Sequence, residues 1–263
     1  MINQKKPMLT PDWQLQTPLD ALIFDCDGTL SQIEGIDALA AINDVGPAVK
    51  TLTEIAMGTT GINPEMYRER LMLTRPRADQ MTLIGRKYIE NLTEDIAEII
   101  SVYQRLEKKI FILSAGLLPA ILPLARLLNI PESHVYGVAI LFDDEGNFRD
   151  FDHASVLIQN QGKCRIVEDI LKRHPRVGYI GDGLNDCPVQ PFVSRFVGYG
   201  GACYRENIAA LCDYYIAVRS MAPFLPLTLT ENEFQTLSVS EKKLYKKGLT
   251  ALQAGGVMMR GAR

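Results

Sequence analysis

The run ALIFDCDGTL, residues 21 to 30, constrains this chain more than any other. Four residues suited to a buried strand lead straight into Asp25, and Asp27 follows one residue later. A lone Asp-x-Asp at a strand end is most often a surface turn, so the pair gains meaning only from what accompanies it.

The companions lie at the ends of later apolar runs. KIFILS (109 to 114) closes on Ser114, VGYIG (177 to 181) leads into Asp182, and FVGYG (196 to 200) is a weaker run of the same kind. Helical patterns separate them, among them LPAILPLARLLNI (118 to 130) and KCRIVEDILKRH (163 to 174), the second with Ile166, Val167, Ile170 and Leu171 on one face. Strands alternating with helices predict an α/β fold with a parallel sheet flanked by helices, whose carboxyl edge carries the chemistry.

Residues 31 to 105 interrupt the alternation with helical segments such as GIDALAAINDV and PEMYRERLMLT, which predicts a small helical cap inserted after the first strand. VAILFDDEGNFRDFD (138 to 152) predicts a hairpin turning around Asp144 to Asn147. The expected organisation is an N-terminal extension (1–18), a core (19–30 and 106–225), the cap (31–105) and a C-terminal extension (226–263). That last segment, with Lys242, Lys243, Lys246 and Lys247, predicts a helix and a loose tail outside the core.

Composition removes several classes of function. With a net charge of -3 and 47% hydrophobic residues the chain suits a globular protein, and nothing points to nucleic acid. The N-terminal twenty residues lack the apolar run of a signal or anchor, and no stretch is suited to crossing a bilayer. Five scattered cysteines without CxxC spacing predict neither disulfides nor a zinc site, and suit a reducing cytoplasm. A homodimer is a prior from size alone.

Asp25, Asp27 and Asp182 converging would offer hard oxygen ligands to Mg²⁺, and the lack of histidine among them argues against zinc. A carboxylate beside such an ion stays charged and can attack phosphorus, while a second moves the proton. Ser114, the glycines near it and Lys163 match the need for donors around a transferring phosphoryl group. Taken singly, Lys163 is a surface lysine at a helix start, Asp182 and Asp186 are helix caps, and Glu34 and Arg70 are solvated charges.

The motifs together resemble the haloacid dehalogenase superfamily, and within it the phosphoserine phosphatases. The carrying residues are DCDGT (25 to 29), ILSAG (112 to 116), Lys163 and GDGLND (181 to 186), supported by EGIDALA, AMG, RERLMLTRP, LNIPESHVY, FDDEGNFRDFD and VGYGG in order. The resemblance spans residues 19 to about 225. It implies a Rossmann-like core with Asp25 as nucleophile and Asp27 as general acid and base, its backbone carbonyl also reaching the metal. It further implies Asp182 as the Mg²⁺ ligand, Asp186 as its support, and Gly183 and Asn185 shaping the loop. Ser114, Ala115, Gly116 and Lys163 would hold phosphate. Glu34, Arg70, Met57 and Asn185 would meet the substrate, the first two at the amino and carboxylate ends of O-phosphoserine.

The chain departs from the family pattern in the lysine region, which reads NQGKCRIV, in the DCPV that follows the fourth motif, and at three single positions. Ala115 stands where a glycine is usual, Leu117 where an aromatic often follows, and Asn63 at a cap position often held by a substrate-facing aromatic. These keep a second reading open, the same chemistry on another small phosphomonoester or phosphoryl transfer to another alcohol. A third is a non-catalytic interaction module using the basic tail.

Overall fold

The computed structural model describes residues 11–55 and 63–260. In chain order the elements are β1 (Ala21–Phe24), α1 (Gly35–Ile42), α2 (Gly46–Ile55), α3 (Pro64–Thr74), α4 (Ala78–Glu90), α5 (Ile96–Arg105), β2 (Lys109–Leu117), α6 (Leu118–Leu127), β3 (Val135–Val138), β4 (Ile140–Phe142) and β5 (Phe148–Phe151). There follow α7 (Gly162–Leu171), β6 (Val177–Gly181), β7 (Arg195–Tyr199), α8 (Glu206–Ala209), β8 (Tyr214–Ile216), α9 (Phe224–Thr228), α10 (Glu231–Gln235), α11 (Val239–Ala251) and β9 (Val257–Met259).

One sheet runs β3-β2-β1-β6-β7-β8-β9, parallel except for β9, and β4 pairs with β5 as the expected hairpin. The strands β1, β6 and β7 are buried at every position, as a parallel sheet covered on both faces requires. Register does the work of assembly. Phe24 lies opposite both Ile112 and Ile180, so the residues just beyond, Asp25, Ser114 and Asp182, emerge at one edge. The Asp25 amide donates to the Ile180 carbonyl (3.0 Å), carrying the ladder one step past the strand.

The helical excursion after β1 leaves and returns through a neck. Ser31 bridges to Leu92, the Thr93 amide donates to the Leu30 carbonyl (3.0 Å), and the Gln32 amide to that of Asn91 (2.8 Å). Past this neck α5 lies against the core: the Tyr103 ring meets Phe24 and Phe224 at centroid distances of 6.4 and 6.0 Å. The expected cap boundary at residue 105 therefore moves back to the neck, because the apolar face of α5 is buried under the sheet rather than in the cap.

The C-terminal segment is also revised. Far from a loose tail, it wraps the core: Glu233 pairs with the buried Lys108 (2.5 Å), and α11 lies so close to Ala222 that a side chain at Gly248 would meet that residue's carbonyl. Gly255, at a φ of +82°, turns the chain back so that Val257 pairs with Ile216 on the sheet. The three-residue strand VMM was too short to read from its pattern.

Candidate active site

β1 ends at Asp25, and the chain then winds tightly, with the amides of Leu30 and Ser31 donating to the carbonyls of Asp25 and Cys26. Gly28 permits the turn at a φ of +65°; a Cβ there would lie 2.4 Å from Asp182 Oδ2. This winding sends the two carboxylates of the motif in different directions. Asp25 Oδ1 accepts from the Cys26 amide (2.7 Å), and its Oδ2 faces Lys163 Nζ at 2.8 Å. Asp27 Oδ1 accepts from the Gly35 amide and the Tyr88 hydroxyl, each at 2.6 Å, and its Oδ2 from Ser114 Oγ at 3.2 Å.

Lys163, at the start of α7, is 2% exposed and also contacts Asp186 Oδ1 (2.6 Å). Asp186 is fixed in turn by the hydroxyl of Tyr179 (2.5 Å) and the Gly183 amide (2.9 Å). Lys163 is therefore no surface lysine: two buried anions hold its ammonium and raise its pKa against the effect of burial.

Carboxylate oxygens of Asp25, Asp182 and Asp186 lie within 4.8 Å of one another. Asp27 does not bring its carboxylate to this group, since its two oxygens are engaged toward Gly35, Tyr88 and Ser114. The resemblance gives Asp27 to the metal through its backbone carbonyl, and among the carboxylates it is that of Asp186 that lies with those of Asp25 and Asp182. The donors fit a hard divalent cation. All three are buried oxygen ligands, none is nitrogen or sulfur, and among the described residues Asp182 Oδ1 has no hydrogen-bond partner. Burial pushes Asp25 well above the ordinary carboxylate range and Lys163 only partly offsets it, so added positive charge would favour its ionised form.

Arg205, just before α8, was not singled out from the sequence. Its Nη1 contacts Asp182 Oδ2 (2.6 Å) and its Nη2 approaches Glu34 Oε1 (4.0 Å). No local pattern marks it; only the crossover from β7 brings it to the edge. Tyr88, one of four residues on the α4 face that is buried, was hidden for the same reason.

Above Asp25 and Asp27 sits a cavity of about 40 Å³ whose walls include Glu34, Arg70, Ser114, Gly116, Leu117 and Asn185. Arg70 is buried with Nη1 3.5 Å from Thr53 Oγ1. Burial raises the pKa of Glu34, with Asp27 and Asp182 adding to the effect. Asn185 Oδ1 is buried and unpaired, and the Gly116 amide donates to Ser114 Oγ (2.9 Å) beside the half-buried Ala115. Met57 lies outside the described residues. Asn63 caps α3, its Oδ1 accepting from the Met66 amide (2.9 Å).

The family model for haloacid dehalogenase-like hydrolases matches residues 19–189. Phosphoserine phosphatases of Homo sapiens and Rattus norvegicus are each 30% identical over 199 residues, 75% of this chain and 88% of theirs. Among solved structures, a phosphoserine phosphohydrolase-like protein from Francisella tularensis superposes with a TM-score of 0.69 at 24% identity, over 76% of this chain and 96% of that one. The likeness to that structure speaks for the fold, and the matched sequence carries the motifs that form the edge just described. The chain belongs to the haloacid dehalogenase-like hydrolases, as a phosphoric monoester hydrolase similar to phosphoserine phosphatases.

Proposed function

We propose that this protein is a Mg²⁺-dependent phosphatase that hydrolyses O-phosphoserine to serine and phosphate through an aspartyl phosphate on Asp25, serving serine synthesis in the cytoplasm. The observation that carries the reading is the division of labour between the two motif carboxylates. One is held among Lys163, Asp182 and Asp186, and the other is turned 2.6 Å from Gly35 N and toward Ser114.

In this reading Asp25 attacks phosphorus and the bond from phosphorus to the serine oxygen breaks. Asp27 gives its proton to the departing alkoxide. It then takes a proton from water, which attacks the aspartyl phosphate, releases inorganic phosphate and restores Asp25. Ser114 Oγ, the Gly116 amide and Lys163 Nζ stabilise charge on the phosphoryl oxygens. Bound by Asp25, Asp182 and Asp186, Mg²⁺ would supply the positive charge that keeps these carboxylates ionised around the phosphate. Arg70 would grip the substrate carboxylate and Glu34 its ammonium, with Asn185 offering a further polar contact. The five cysteines are unpaired, in keeping with a reducing compartment, and among the described residues no helix is long and apolar enough to cross a membrane.

The test is phosphate release from O-phospho-L-serine, phosphothreonine, phosphoethanolamine and p-nitrophenyl phosphate, with Mg²⁺ and with EDTA. Metal-dependent turnover that favours phosphoserine, and is abolished in Asp25→Asn, is the expected result; turnover in Asp25→Asn would sink the mechanism. A second reading, hydrolysis of another small phosphomonoester, is favoured by Leu117, which forms part of the cavity wall. Preference for one of the other esters would select it.

A further inference from the structure

We infer that the hydroxyl of Tyr67 determines specificity by binding the substrate, acting with Arg70 as a pair of donors for a carboxylate. The inference rests on the phosphatase reading above and adds to it a second residue that selects a phosphomonoester carrying a carboxylate.

Tyr67 and Arg70 are three residues apart on α3, which places them on one face of the helix. Both border the cavity over Asp25 and Asp27, and both are buried, 3% and 7% exposed. Among the described residues the Tyr67 hydroxyl has no hydrogen-bond partner, and Arg70 Nε has none either. Burying an unpaired polar group is unfavourable, and a leucine or phenylalanine at the same place would avoid that. The packing at this position needs only the ring. It is set against Phe151 at a centroid distance of 5.4 Å, and the Arg70 guanidinium carbon lies 5.6 Å from its centre. Among the described residues the hydroxyl serves no hydrogen bond, so its use is assigned to what enters the cavity.

The polarity of that use follows from the surroundings. Burial pushes the Tyr67 phenol far upward, which keeps it protonated and a donor at physiological pH. A guanidinium can only donate. Two adjacent donors, one of them charged, select an anionic acceptor with more than one oxygen. The phosphoryl group belongs at Asp25 and Lys163, which leaves a carboxylate for Tyr67 and Arg70. Asn63, four residues earlier, is occupied as the cap of α3, so the aromatic of this wall comes from the next turn of the helix.

The experiment compares wild type and Tyr67→Phe on O-phospho-L-serine and on phosphoethanolamine, which shares the phosphate and amine but has no carboxylate, with a thermal melt of each protein. The expected result is a loss of about 10-fold in kcat/KM on phosphoserine, mostly in KM, and less than about 2-fold on phosphoethanolamine. The melting temperature should be unchanged or higher, because the variant loses an unpaired buried hydroxyl. Equal losses on both esters, no loss, or a lowered melting temperature would overturn the inference. If wild type itself shows no preference for phosphoserine, the proposed substrate fails and the inference with it. If the preference is present and Tyr67→Phe keeps the same ratio, this inference alone fails.

Discussion

Tyr88, near the end of α4 where the chain turns back toward the neck, donates its hydroxyl hydrogen to Asp27 Oδ1 across 2.6 Å. The phenol is fully buried, and a Cβ on Gly35 would fall 2.0 Å from its oxygen. The carboxylate proposed to move the proton is therefore oriented from the cap as much as from the core.

Tyr88→Phe should lower kcat by about 10-fold with little change in KM, since one of two donors to that oxygen is lost and the Gly35 amide remains. Steady-state kinetics decide this: an unchanged kcat would show that Gly35 alone orients Asp27.

Lys163→Met should abolish turnover and also destabilise the fold by about 3 to 5 kcal/mol. It leaves Asp25 and Asp186 buried without their shared cation. Urea unfolding without added metal measures the cost, and a large excess of Mg²⁺ should recover part of it.

Stability without metal should fall as pH rises from about 4 to about 6. The carboxyl of Asp182 is pushed up to about 6, chiefly by burial, with Arg205 pulling it down and Asp186 pushing it up. In that window the folded protein keeps a proton that the unfolded chain has released, so raising the pH favours unfolding. Burial shifts Asp25 and Glu34 in the same direction. The loss from Asp182 alone is at most about 3 kcal/mol, complete above its folded pKa. Melting curves in EDTA at several pH values test it; a melting temperature that rises through this window would contradict it. Saturating Mg²⁺ should flatten the slope, because the cation takes the place of the proton.

Gly248→Ala should cost about 1 to 3 kcal/mol while leaving KM unchanged, because the new Cβ would meet the Ala222 carbonyl at 2.1 Å and force α11 away. Arg105→Ala, which breaks a partly exposed bidentate pair with Glu241 (2.7 and 2.9 Å), should cost less than about 1 kcal/mol. Denaturant midpoints for the two variants separate packing from surface charge in attaching the C-terminal segment.

The strands β1 and β6 were legible in the sequence to the residue, because continuous apolar runs bounded by polar residues leave little choice of ends. The parallel sheet followed from their alternation with helices, and Asp25 and Asp182 from their places at the ends, whereas the run read as closing on Ser114 continues as β2 to Leu117. Asp186 was legible as a support, but its contact with Lys163 depends on a separation of 23 residues that no local pattern encodes. Tyr67, Tyr88 and Arg205 carry no motif, and their roles exist only once the helices are packed. The strand β9 was hidden by its length, and α5 read as cap because its amphipathic pattern does not say which surface it covers.

The neck at Ser31 and Leu92 has a consequence for engineering. The excursion enters and leaves at adjoining points, tied by the Thr93 hydroxyl to the Thr29 carbonyl (2.6 Å) and by the Ser31 hydroxyl to that of Tyr88 (3.0 Å). A segment with its two ends stapled together is a cassette: it can be exchanged for another of different length without altering the strand order beneath. The junctions for such a graft fall at residues 31 and 92, and Tyr88 lies inside them, so a transplanted cap must bring its own partner for Asp27.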